Sequence, residues 1–203
     1  MPPFKLITAG DIGQITKAQG GVAGHEVLID DLIIPAVEQA FAKYCNRDDF
    51  DQKSRTEIFS IQQPTAILQV SSPPIAAAPA VQLWQDTATP RAYGSTTELV
   101  NGTDFFVLES VGQIVKEGSC FASGLKTVKV TYTGGWLTGD GAGVPASLKL
   151  AAMIQALGLF ERRGEYFLTS RSQEGSISML TPLMLPKNVT ILLDEFRVFR
   201  SAA

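Results

Sequence analysis

Between Pro145 and Arg163 the chain places Leu148, Leu150, Ala151, Met153, Ile154, Ala156, Leu157, Leu159 and Phe160, so a helix drawn through it is apolar on almost every face. Pro145 suits the first turn, where the amide it lacks would have no intrahelical partner. A helix with one wet side carries a single apolar stripe, and this segment has more than one. Two arrangements satisfy it. Either it is a central helix wrapped by its own chain, or its extra face is covered by a neighbouring subunit, with Leu150, Ile154, Leu157 and Leu159 as the interface.

A second helical pattern lies between His25 and Arg47, where Ile33, Val37, Ala40, Phe41 and Tyr44 follow a 3.6-residue period. Pro35 leaves two readings open. The helix starts earlier and is kinked there, or its main part begins there. Upstream, residues 1–24 carry Pro2, Pro3 and five glycines and read as an arm with one short helix near Asp11–Gln19. From Thr56 to Trp136 the chemistry changes to short β-branched and aromatic runs separated by Pro, Gly, Ser and Asn. These runs are 57–61, 66–70, 80–84, 105–109, 113–117 and 127–133. In the last, Val128, Val130 and Tyr132 alternate with Thr127, Lys129 and Thr131. Asn101-Gly102 is a tight-turn pair, and residues 164–182 read as a long polar loop.

The expected fold is therefore α+β: a small helical bundle, with helices near 26–47 and 145–163 plus a short C-terminal helix, interrupted by an antiparallel β element. One domain accommodates the 203 residues. Its parts are an N-terminal arm and helix (1–55), the inserted β element (56–137), and a loop, second helix and C-terminal arm (138–203).

No catalytic constellation emerges. His25 is the single histidine, and it lies at a helix start with no marked nucleophile, so it reads as a surface or capping residue. Neither Cys45 nor Cys120 belongs to a C-x-x-C pair, and one histidine cannot complete a zinc site. Both cysteines are expected to be buried thiols in a reducing cytosol. Asp48, Asp49 and Asp51 are flanked by Arg47, Lys53 and Arg55 and lack calcium-loop spacing. The segment GDGAGVP lacks the Lys-Ser/Thr of a phosphate loop, and Asp194-Glu195 lies in an apolar tail. No catalytic, metal-binding or cofactor-binding residue is expected.

With 17 basic and 20 acidic residues, a net charge of −3 and no basic block, the chain is not built for a tight grip on nucleic acid. MPPFKLITAG has no sustained apolar core, so no secretory signal is expected. No run approaches a membrane span. The expectation is a protein that is soluble and cytosolic when made.

Four patches in this order resemble the head-to-tail connector (adaptor, or head-completion) family of tailed bacteriophages. DDLIIPAVEQAFAKYCNRDDF (30–50) is similar to the family's opening helix with its Tyr-Cys-x-Arg ending. NGTDFFVLESVGQIVKEG with VKVTYTGGW (101–136) resembles its β meander, which closes in a V-T-Y-T-x-G-aromatic strand. VPASLKLAAMIQALGLFERRGE (144–165) resembles the helix that follows, and LPKNVTILLDEFRVFR (185–200) the closing segment. Together they span most of residues 26–200.

The resemblance implies a virion neck protein and no enzyme: a ring, typically of twelve copies, docked under the portal and offering its other face to the next neck or tail component. Genomic DNA would pass through without sequence-specific binding, and a multiplied mild negative charge suits such a channel. The closing segment is then the expected portal-docking arm, a short helix running into an extended tip. Leu192, Leu193, Phe196, Arg197, Phe199 and Arg200 are its contact residues. A stopper or tail terminator ring, expected to be mainly β, and a small enzyme with an unrecognised site are the competing readings.

Overall fold

The computed structural model describes residues 5–16, 23–136, 143–161, 170–173, 176–179 and 185–199. It divides into two compact units: Met1–Cys45 with Gly139–Phe196, and Asn46–Thr138 with Arg197–Ala203.

The first unit is helical. Helix α1 (Ala9–Thr16) opens with a reciprocal cap. The Asp11 amide donates to Thr8 Oγ1 at 3.3 Å, and the Thr8 amide donates to Asp11 Oδ2 at 2.8 Å. Leu6, Ile7, Ala9 and Ile12 are buried, so the described N-terminal residues are part of the core and not the arm expected. Polar ties hold them there: the Leu6 amide donates to Glu38 Oε1 at 2.6 Å and the Ala9 amide to Asp30 Oδ1 at 3.1 Å. Residues 17–19 of the expected short helix lie outside the described residues.

Helix α2 (Glu26–Leu28) runs through a π turn, Ile29–Ile33, into α3 (Ile34–Tyr44). Pro35 explains the turn. Its ring clashes with an α-helical carbonyl four residues back and it has no amide to donate. Widening the backbone there, with the Ile34 amide on Ile29 O, lets the helix continue. The extra residue also brings Ile29, Ile33, Ile34, Val37 and Phe41 into one buried set.

Helix α4 spans Ala146–Glu161 and buries Leu148, Ala151, Ala152, Gln155, Ala156 and Phe160. Helix α5 (Lys187–Leu193) packs on α4 and ends in a 3₁₀ turn, Asp194–Phe196. The expected polar loop contains a hairpin instead: β8 (Ser170–Gln173) pairs antiparallel with β9 (Ser176–Met179). Backbone pairing tolerates a serine-rich sequence in which only Ile177 and Met179 give a short apolar alternation.

The second unit holds two antiparallel sheets. Strands β1 (Lys53–Ile61), β7 (Gly124–Gly134), β3 (Gln82–Gln85) and β4 (Glu98–Leu99) form one, in the order β1-β7-β3-β4. Strands β2 (Ile67–Gln69), β6 (Gln113–Lys116) and β5 (Phe105–Leu108) form the other, in the order β2-β6-β5. Inward residues of both sheets share one core, among them Leu68, Leu83, Phe105, Ile114, Val128 and Val130. The alternation of β7 is as expected at Val128, Val130 and Tyr132, all buried. Thr127 is buried too, because the β1–β7 register shifts between Phe59 and Ile61 and breaks the two-residue period there.

Candidate docking surfaces

The sequence patches that stood out meet one another inside each unit. Tyr44 Oη donates to Asp194 Oδ1 at 2.7 Å, and buried Cys45 lies with its sulfur 3.8 Å from Leu193 O. These contacts fix α5 against the end of α3. Cys120, unlike the expectation for both thiols, is exposed. In the second unit the Arg47 guanidinium sits 4.7 Å from the Trp136 ring centroid and 5.6 Å from that of Phe50, and donates to Pro73 O.

Three residues of the segment TYTGGW have clear packing tasks. Tyr132 is buried; its hydroxyl donates to Glu57 Oε1 and accepts from the Ser72 amide at 3.3 Å. Burial first, and then the adjacent Glu57 carboxylate, push that hydroxyl well above the ordinary range of a phenol. A side chain at Gly134 would stand 2.3 Å from Ser72 O, and one at Gly135, whose φ is +106°, would stand 2.2 Å from Asp51 O. Only glycine permits both the approach and the second backbone conformation.

The candidate reactive groups are accounted for structurally. His25 is exposed, makes no cap bond, and lays its ring edgewise 5.5 Å from that of Phe160. Asp49 pairs with Lys53 and Arg55. Burial alone would raise its carboxyl, but those two partners outweigh it and hold the group below the usual carboxylate range. Among the described residues no group of three His, Cys, Asp or Glu side chains could hold a metal ion. No described helix is long and apolar enough to cross a membrane.

The expected contact residues fall on two surfaces among the described residues. On α4, Leu150, Met153, Ile154 and Leu157 form an i, i+3, i+4, i+7 stripe that the chain covers incompletely, and Leu150 is 44% exposed. Leu159 is also half-buried but lies off that stripe, towards the core face. The second surface is the closing segment. Leu193 at 0% and Phe196 at 8% exposure are turned into the chain itself, which corrects their expected role as outward contacts. Leu192 is half-buried. Beyond Phe196 the chain is extended and alternates: Val198 is buried, with its carbonyl accepting from Asn46 Nδ2 at 3.4 Å, while Arg197 and Phe199 face outward. Phe199 is 72% exposed, with the Arg197 guanidinium 5.3 Å from its ring centroid. Arg200 lies outside the described residues. Ile191, 62% exposed on α5, is an outward apolar residue that the helical spacing did not single out.

No family model matches this chain, and no curated protein does. Solved structures do. A chain from the neck of an empty gene transfer agent (GTA) particle, computed with C6 symmetry, superposes with a TM-score of 0.59 at 14% identity, covering 97% of this chain and 91% of that one. A chain from the virion of a native GTA particle gives 0.55 at 14% identity with the same coverage. One from the neck of a native GTA particle, computed with C12 symmetry, gives 0.50 at 16% identity over 89% of each chain. The shared fold runs through nearly the whole chain.

Proposed function

We propose that this protein is a structural subunit of the neck of a tailed-phage-like particle. It assembles into a ring that joins the portal to the next neck or tail component and continues the DNA channel. The observation that carries this reading is the fold likeness over 97% of the chain to a protein from the neck of a GTA particle, arrived at separately from the sequence resemblance to head-to-tail connectors. The protein performs no reaction; its work is shape and adhesion.

In this reading the α4 stripe of Leu150, Ile154 and Leu157 meets a neighbouring copy, and the tip carrying Arg197 and Phe199 meets the portal. An exposed aromatic that directly follows buried Val198 is an anchor ordered in part before docking, which lowers the entropy lost on binding. Arg197 adds register through rim carboxylates more than it adds affinity. Twelve copies at a net charge of −3 each give a channel that does not hold DNA.

The test is electron microscopy of the purified protein mixed with its portal. Rings stacked coaxially on the portal are expected. Free portal alongside unassociated protein would refute the proposal.

A further inference from the structure

The two sheets of the β unit share one core, so their outer faces both point away from it, and those faces differ in charge. On the β2-β6-β5 sheet, register places Ile67, Val115 and Phe106 in one outward row, with Leu108 in the next and Val111 on the β5–β6 turn. Ile67, Phe106, Leu108 and Val111 are exposed, an apolar patch of a kind that marks interaction sites. Its charged neighbours are acidic. Exposed Glu117, whose amide donates to Asp104 O, and half-buried Asp104, whose carboxylate accepts from the Val100 amide, stand just past the strand ends, and Glu109 stands at the turn. The nearby cation, Lys116, has inward parity and is bonded to Gln85 Oε1 and Cys120 O.

The outer face of the β1-β7-β3-β4 sheet has the opposite character. Register aligns Ile58, Lys129, Trp84 and Glu98 across it. Lys129 Nζ lies 4.8 Å from the Trp84 ring centroid and 5.8 Å from that of Tyr93. Beside them stand exposed Leu125 and Lys126, with half-buried Arg91 bonded to Leu125 O. Against these three cations stand Glu98 and Asp86, the latter buried under the turn that carries Arg91 and Tyr93, so this face is apolar, aromatic and net basic by one charge.

We infer that the acidic-rimmed apolar face of the β2-β6-β5 sheet docks on the basic, aromatic face of the β1-β7-β3-β4 sheet of a second copy of this chain. The argument is charge complementarity. Two different faces on one subunit that fit each other make a heterologous, head-to-tail contact, and such contacts build a ring where the rotation between copies closes. A self-matching dimer would instead bring acid against acid. The inference rests on the ring reading above and names the surfaces that would build the ring.

Two variants of the full chain test it. Glu109→Lys with Glu117→Lys makes both faces basic, and Lys126→Glu with Lys129→Glu makes both acidic; circular dichroism verifies the fold of each. In sedimentation velocity each variant alone is expected to associate at least about tenfold more weakly than wild type. An equimolar mixture of the two should associate again, to within about threefold of wild type. Added salt should weaken the wild-type assembly, because the charges are at an exposed rim. Wild-type rings with both variants assembling normally, or with the mixture as weak as its components, would overturn the face assignment while leaving the ring standing. A wild-type chain that stays monomeric, alone and with portal, would overturn the ring and this docking together.

Discussion

Replacing Leu150 with Glu separates the packing of α4 within the subunit from its packing between subunits. Full burial of a leucine contributes about 1.5–3 kcal/mol, so covering the 44% left exposed adds about 1 kcal/mol to each subunit contact. Enclosing an unpaired carboxylate costs at least about 2 kcal/mol more. Together these weaken association by about 3 kcal/mol, on the order of a hundredfold. The isolated subunit should hardly notice. Glu and Leu differ little in helix propensity, and the side chain keeps its access to water, so the melting temperature should fall by no more than about 2–4 °C. Ala152→Glu is the contrast, because Ala152 is fully buried and a carboxylate there has to open the subunit's own core. Thermal melts followed by circular dichroism report the subunit, and sedimentation velocity reports the assembly. If Leu150→Glu lowers the melting temperature as much as Ala152→Glu, the stripe belongs to the subunit core. If Leu150→Glu assembles like wild type, no copy covers it.

Tyr132→Phe should cost about 1–3 kcal/mol, since Glu57 and the Ser72 amide lose a buried partner; denaturant unfolding measures it. The Tyr132 hydroxyl titrates above its unfolded value of 10.0, so its contribution is fully present below that pH and falls as pH rises beyond it. The alkaline slope of stability should therefore be shallower in Tyr132→Phe, and an unchanged slope would contradict the assignment. Gly135→Ala must place a methyl 2.2 Å from Asp51 O at a φ of +106°, and should destabilise by about 2 kcal/mol or more, read as a lower denaturation midpoint. Phe199→Asp should abolish co-sedimentation with portal while leaving the fold intact, whereas Phe196→Asp should unfold the closing turn. Normal portal binding by Phe199→Asp would move the docking surface elsewhere.

Periodic burial was the legible part of this fold. The stripe of α3, the alternation of β7 and the all-round apolarity of α4 each follow from side chains choosing between water and a core. The passage from helical to extended spacing around Phe196 was visible in the same way. What spacing could not show is which side of that extended tip turns inward; Val198 rather than Phe199 was taken into the core, and that depends on the seat Asn46 helps to form. The N-terminal residues were misread because glycine-rich composition hid Leu6 and Ile12. Their partners, Asp30 and Glu38, lie in another helix that no local window contains. The β8–β9 hairpin is hard to read because its one alternation, Ile177 and Met179 between serines, is too short to stand out from the polar residues around it. The outer sheet faces are equally hidden: each gathers residues from distant strands, and only the pairing register brings Lys129 beside Trp84 or Phe106 beside Val115 and Ile67.

Neither compact unit is a continuous stretch of chain, since Met1–Cys45 is completed by Gly139–Phe196 and Asn46–Thr138 by Arg197–Ala203. On a ribosome adding about 5–20 residues per second, the N-terminal helices wait for seconds before α4 exists to cover them. Even then Val189, Leu193 and Phe196, all buried in the finished helical core, have yet to be made. The β unit closes later still, when Val198 reaches its seat. Each unit therefore closes only when its later segment has been made, well after its earlier one.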